Sequence, residues 1–226
     1  MYRIRSLSSA GTDSSASTKS ALIAAAAPLF AEQGYDATRI RDIADKAGAN
    51  VAAINYHFGS KMGLYQAVMK AQAEQMIANY PLQTDDIAKA SPEERLQWLV
   101  KSILRRVLGS SEKERPTRMC IREFVEPTEA LDYLVREIVT PQHAITRSVV
   151  EAVAGRKIRE EELSRMAISL VSQCFYYGLA EPMLSRLGVK IPRTDEEIDV
   201  LAAHIARFSL AGIRASLGPP QAFQTA

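Results

Sequence analysis

The sequence predicts an all-α protein, and three observations carry that expectation. Apolar residues recur at helical spacing, as Ile40, Ile43, Ala44 and Ala47 do at i, i+3, i+4 and i+7. No long alternation of apolar and polar residues, the mark of a half-buried strand, is present. Glycine and proline fall between the helical stretches, at Gly34, Gly48, Gly59, Pro81, Pro127, Pro141, Pro182 and Pro192, where helices stop. With 226 residues and 47% hydrophobic content, the chain can bury one large core or two small ones.

Residues 1–16 are rich in Ser, Gly and Ala and are expected to be disordered. Arg3 and Arg5 within them can act as a minor-groove arm or belong to a tail without a role. The first helix is expected from about Thr18 to Gln33, with Leu22, Ala25, Leu29 and Phe30 facing inward and Gly34 ending it. Pro28 removes one backbone hydrogen bond inside it, so a mild kink is expected there.

Thr38 stands just before the next apolar stripe, where its hydroxyl can cap a second helix. Arg39, Arg41, Asp42, Asp45 and Lys46 occupy that helix's solvated side, and Gly48 suits a left-handed C-terminal cap. Asn50 can cap a third helix. Its spacing turns Val51, Ile54 and Phe58 inward and leaves Ala52, Ala53, Asn55 and Tyr56 outward, beside His57. Gly59-Ser60 ends it and opens a fourth helix that runs to about Asn79, where Pro81 stops it.

Two short helices about a glycine suit a reader of the DNA major groove. Small alanines allow close approach to base edges, an alanine methyl can touch a thymine methyl, and the Asn55 amide can pair with adenine. Tyr56 suits a phosphate, and so does Lys61 in the first turn of the fourth helix, beside free backbone N–H groups. From periodicity alone, the same pattern equally describes an ordinary helix pair with a solvated face.

Beyond Pro81, Ser91 caps a helix with proline at its first position, glutamates in its first turn, and Leu96, Leu99, Val100, Ile103, Leu104 and Val107 on one face. The loop GSSEKERPT follows, then helices at about 116–125, 128–138, 141–154, 160–179 and 195–216. No internal repeat is evident.

The net charge of +2 is unevenly placed: residues 1–70 carry 8 Lys+Arg against 5 Asp+Glu, leaving a net of −1 on the rest. The excess lies where a phosphate-binding surface would need it. Other classes find little support. The three histidines, His57, His143 and His204, lack ligand spacing, and no phosphate-cradling glycine loop or nucleophile elbow occurs. Cys120 and Cys174 show no metal or redox spacing. An enzyme is therefore not expected, nor a metal or cofactor. The polar run SLSSAGTDSSAS after Arg5 argues against a targeting signal, and the apolar stretch ALIAAAAPLF is too short to span a bilayer. A reducing cytoplasm fits.

The order of three motifs decides among these readings. ALIAAAAPLFAEQGYDAT, RIRDIADKAGAN and VAAINYHFGSKMGLYQAV, from about Ser17 to Met69, resemble the N-terminal domain of the TetR family of transcriptional regulators. Within it, the INYHFGSK wording and the style of the C-terminal half resemble the CecR-like subgroup more than TetR itself. The resemblance implies a helix-turn-helix DNA-binding domain over 17–69, a helical regulatory and dimerisation domain over 70–217 and a tail over 218–226. It implies double-stranded DNA, a second copy of the chain and a small-molecule effector as partners, with no membrane. The expected DNA-binding residues are Thr38, Arg39, Asn50, Ala52, Ala53, Asn55, Tyr56, His57 and Lys61. The expected function is a repressor on a palindromic operator, released by a ligand. The alternatives are a family member without ligand response and an all-helical protein-binding adaptor.

In the C-terminal half, the wide apolar bands at 160–179 and 195–216 exceed what one outer face needs, so a dimer seam or an ordinary core is expected there. Polar and aromatic residues set in apolar runs mark an effector pocket: Met119, Arg122 and Glu123 on one short helix, with Gln173, Phe175, Tyr176 and Tyr177 on another. Arg122 and Glu123 can instead form a salt bridge, and the tyrosines can simply pack.

Overall fold

The computed structural model describes residues 10–109 and 117–217. Arg3 and Arg5, most of the expected loop after residue 108 and the tail at 218–226 lie outside the described residues. The described elements are α1 (Ala10–Ala37), α2 (Ile40–Ala47), α3 (Val51–Phe58), α4 (Lys61–Asn79), α5 (Asp85–Lys89), α6 (Pro92–Leu108), α7 (Thr117–Val125) and α8 (Ala130–Leu134). A π-helical turn (Val135–Val139) follows, then α9 (Thr140–Ala154), α10 (Glu160–Leu179), α11 (Glu181–Arg186) and α12 (Asp195–Ser216). Among the described residues there is no strand, and the all-α expectation holds.

The chain forms two compact units. Among the described residues, the first comprises 10–73 with 118–134, and the second 74–109 and 117 with 135–217. This division differs from a single boundary near residue 70, because α7 and α8 belong with the first unit. The expected disordered segment also differs: α1 already begins at Ala10. Once a helix is nucleated, adding a turn costs little, so the Ser- and Ala-rich stretch continues it. Within α1 the non-helical dihedrals lie at Gly34 (φ 79°), whereas Pro28 sits inside the helix.

The first unit packs α1, α2 and α3 around Leu22, Ala26, Phe30, Ile43, Ala44 and Ile54, with Leu64, Tyr65 and Val68 from the first half of α4. Gly63 explains how α4 starts so close to α3: a Cβ there would overlap the Phe58 carbonyl oxygen.

The second unit is built on α6, which packs against α9, α10 and α12. Its core joins Leu96, Leu99, Val100, Ile103, Leu104 and Val107 to apolar residues of those three helices. Ser91 and Glu94 form a reciprocal cap at the start of α6, and Thr194 with Glu197 form another at the start of α12. The side chains of α6 also hold the exit of α4. Trp98 Nε1 and Ser102 Oγ donate to the Pro81 carbonyl at 2.9 and 3.0 Å. Arg106 donates to the Tyr80 carbonyl through Nε and Nη2, at 2.8 and 2.6 Å, and to Gln142 Oε1 at 2.9 Å. Burial lowers the Arg106 pKa to about 10.

Candidate nucleic-acid interface

The helix pair closes through its turn. Gly48 takes the left-handed conformation (φ 63°), its N–H reaches the Asp45 carbonyl at 3.2 Å, and the Ala49 N–H reaches the Ala44 carbonyl at 2.9 Å. This double bond pattern satisfies the last carbonyls of α2 and turns the chain sharply into α3. Asn50 then caps α3, its Oδ1 accepting from the Ala52 N–H at 2.9 Å. The fourth helix opens with Ser60 Oγ accepting from the Gly63 N–H at 3.0 Å.

On α3, Ile54 is fully buried, while Ala52, Asn55 and Tyr56 face outward and Ala53 and His57 are half-buried. Tyr56 is 81% exposed, its ring edge-on to His57 at 5.0 Å between centroids. Val51, expected inward, is 38% exposed, and Phe58 is only half-buried. The first residue of so short a helix projects past its neighbours, so its spacing to Ile54 does not bury it. Lys19 lies over the Phe58 ring at 5.9 Å.

Thr38 does not cap α2 as expected. It is 1% exposed, and its hydroxyl donates to the Gly34 carbonyl at 2.6 Å and the Leu29 carbonyl at 3.2 Å. It therefore seals the end of α1. Arg39 occupies the N-cap position of α2 without a side-chain cap bond, and it is exposed. Lys61 is half-buried: Nζ sits 4.5 Å from the Tyr35 ring centroid and donates to the Asp36 carbonyl at 3.2 Å. Burial lowers its pKa, and the Asp36 charge opposes that shift.

The expected effector residues are divided between the two units. Met119 and Glu123 are each 1% exposed within the first. Glu123 accepts from the Tyr65 hydroxyl at 2.8 Å and from the Thr128 N–H at 3.0 Å, and the Thr128 hydroxyl donates to it at 3.1 Å. Arg122 pairs with Glu126 at 3.2 Å rather than with Glu123, and its guanidinium occupies the space that a Cβ on Gly34 would need. Phe30, Tyr35 and Tyr65 form an aromatic cluster beside this network. Burial, reinforced by the bond to Glu123 and its charge, raises the Tyr65 pKa and keeps the phenol protonated. The Cys120 thiol is pushed up to about 12, by burial first and the Glu123 charge second.

Gln173, Phe175, Tyr176 and Tyr177 stand on α10 in the second unit. Gln173 donates to Ser209 Oγ at 3.1 Å, Phe175 and Tyr177 pack against the core, and Tyr176 is exposed. Gln173 also lines a groove of about 360 Å³ between α10 and α12, with Met166, Leu170, Phe208 and Ile213. Large apolar side chains stay exposed on both helices: Ile168, Tyr176 and Leu179 on α10, and Val200 and Phe208 on α12. No described helix is long and apolar enough to cross a membrane. Among the described residues, no group of His, Cys, Asp and Glu could hold a metal ion.

Comparison with known proteins connects both units to one kind of protein. Residues 22–68 match the family described as bacterial regulatory proteins, tetR family, and residues 92–213 match the C-terminal domain of the HTH-type transcriptional dual regulator CecR. The chain is 28% identical over 179 residues to CecR of Shigella flexneri, covering 75% of this chain and 80% of that protein. It is 37% identical over 83 residues to the HTH-type transcriptional repressor KstR2 of Mycobacterium tuberculosis, covering 37% of this chain and 40% of that one. Among solved structures, FadR of Bacillus subtilis in complex with stearoyl-CoA shares the fold, with a TM-score of 0.63 at 17% identity over 85% of this chain and 98% of FadR.

Proposed function

Because this chain belongs to the TetR family of bacterial transcriptional regulators, with a C-terminal domain of the CecR type, we propose that it is a ligand-released repressor. It acts in the cytoplasm as a homodimer on a near-palindromic operator. The observation that carries the reading is α3 itself: a helix capped by Asn50, anchored by buried Ile54, and presenting Ala52, Asn55 and Tyr56 to the outside. The relatives are regulators of transcription rather than enzymes. KstR2 is named a repressor, which supports that direction of control.

The exposed apolar residues of α10 and α12, with the groove between them, support a second copy of the chain as partner. Two copies of α3 would then enter successive major grooves, roughly 34–36 Å apart. The acyl-CoA carried by FadR supports a small-molecule effector, with Phe175 and Tyr177 on α10 as the first residues to test. Met119 and Glu123 are already packed and hydrogen-bonded within the first unit, so they serve that packing rather than an open pocket. The helix α4 gives residues 61–73 to one unit and 74–79 to the other, so it is one of three covalent crossings, with those at 117–118 and 134–135, that can carry coupling. Such coupling is typically ~1–3 kcal/mol and is reciprocal.

The test is selection of random and genomic duplexes on the purified protein, repeated across a salt series. An inverted repeat with affinity falling steeply in salt supports the reading. In that assay Lys61→Ala lowers the salt slope by about 1. Absence of any motif, with weak salt dependence, leaves a protein-binding adaptor as the better description.

A further inference from the structure

We infer that α3 reads A·T base pairs, with Asn55 on an adenine edge and Val51 and Ala52 against thymine methyl groups. The inference rests on the operator-binding reading above. In the major groove, guanine is selected by Arg or Lys on O6 and N7, and cytosine by a carboxylate on N4. The helix VAAINYHF holds none of these four residue types. Its outward groups are an amide, two apolar side chains and a phenol. Asn55 is the amide within α3, exposed, and able to donate to adenine N7 while accepting from N6. Val51 stands four residues before it, on the same face of the helix.

Val51 is the decisive observation. It is 38% exposed although its neighbour Ile54 is fully buried, so part of the side chain stays open on the outer side of α3. A branched apolar side chain at the head of a reading helix matches the one apolar group that the major groove offers, the thymine C5-methyl. Ala52 lies beside it, exposed and small enough to allow close approach. The oxygen of Asn50 accepts from the Ala52 N–H, which ties that amide to the cap of α3. Tyr56 and the cations of the neighbouring elements, Arg39, Arg41, Lys46 and Lys61, suit phosphates, which carry no sequence information.

The experiment uses the full chain. A half-site is first selected from random duplexes. Parent, Val51→Ser and Asn55→Ala proteins are then bound, at one salt concentration, to that duplex with single thymines replaced by deoxyuridine or single adenines by 7-deazaadenine. Val51 is only partly covered, and circular dichroism with thermal unfolding checks that Val51→Ser keeps the fold. The expected half-site is A·T under α3. Removing the thymine methyl that meets Val51 weakens the parent about fourfold, the worth of one methyl taken out of water, and leaves Val51→Ser unchanged. Removing one adenine N7 weakens the parent on the order of tenfold and leaves Asn55→Ala unchanged. Selected G·C pairs under α3 overturn the inference alone. So do A·T pairs whose methyl and N7 groups are dispensable, since the site is then read by shape. A protein that selects no motif and binds without salt dependence overturns the operator-binding reading and this inference with it.

Discussion

In the first unit, α4 is held through a side chain of its own: the Tyr65 hydroxyl donates to buried Glu123, which Thr128 also fills. In the second unit, the segment just after α4 is held through main-chain oxygens: Trp98, Ser102 and Arg106 on α6 donate to the carbonyls of Pro81 and Tyr80. The difference matters for how each can be undone. A side-chain contact disappears with one substitution on either partner. A grip on carbonyls exists whatever side chains residues 80 and 81 carry, and only the α6 donors can release it.

The largest expected effect tests the second grip. Arg106→Leu removes three charge-assisted donor bonds at once and should cost about 3 kcal/mol in urea unfolding. A loss below that of the first-unit variants would break the comparison. Glu123→Ala strands the Tyr65 hydroxyl and the Thr128 N–H in a buried site, a loss of about 2 kcal/mol by the same measurement. Tyr65→Phe removes one bond and leaves Glu123 its Thr128 partners, so about 1 kcal/mol is expected. Combined with Arg106→Leu, it should add to within ~0.5 kcal/mol, because the two sites share no partner; a larger coupling energy would show that the two grips are one network. The smallest effect belongs to Arg122→Ala, which loses a partly exposed i, i+4 pair with Glu126, a few tenths of a kcal/mol. Thermal unfolding indistinguishable from Glu123→Ala would show that Arg122 also holds α7 in place.

Much of this architecture is legible from sequence. The Asn50 cap, the Gly48 turn and the Ser91–Glu94 capping box each use residues within a few positions of one another, so their chemistry is local and readable. The short helices α5 and α11, which stand as separate elements, complete too little of an apolar period to be seen, whereas the equally short α8 runs on into the π-helical turn and α9 and lies within the helix expected at 128–138. Thr38 looks like a cap until Gly34, at positive φ, folds the end of α1 back so that two carbonyls face its hydroxyl. Nothing local connects Tyr65 to Glu123 across 58 residues, and only the folded chain reveals that α7 belongs with the helix pair.

The uncharged surface of α3 has a consequence for search and choice on a chromosome. Counterion release, which sets how tightly a protein holds DNA of any sequence and how it slides, depends on cations. The cations next to it, Arg39, Arg41, Lys46 and Lys61, all lie outside α3. Exchanging the outward side chains of α3 for other neutral ones would therefore redirect the protein to new addresses while leaving its travel along the duplex unchanged.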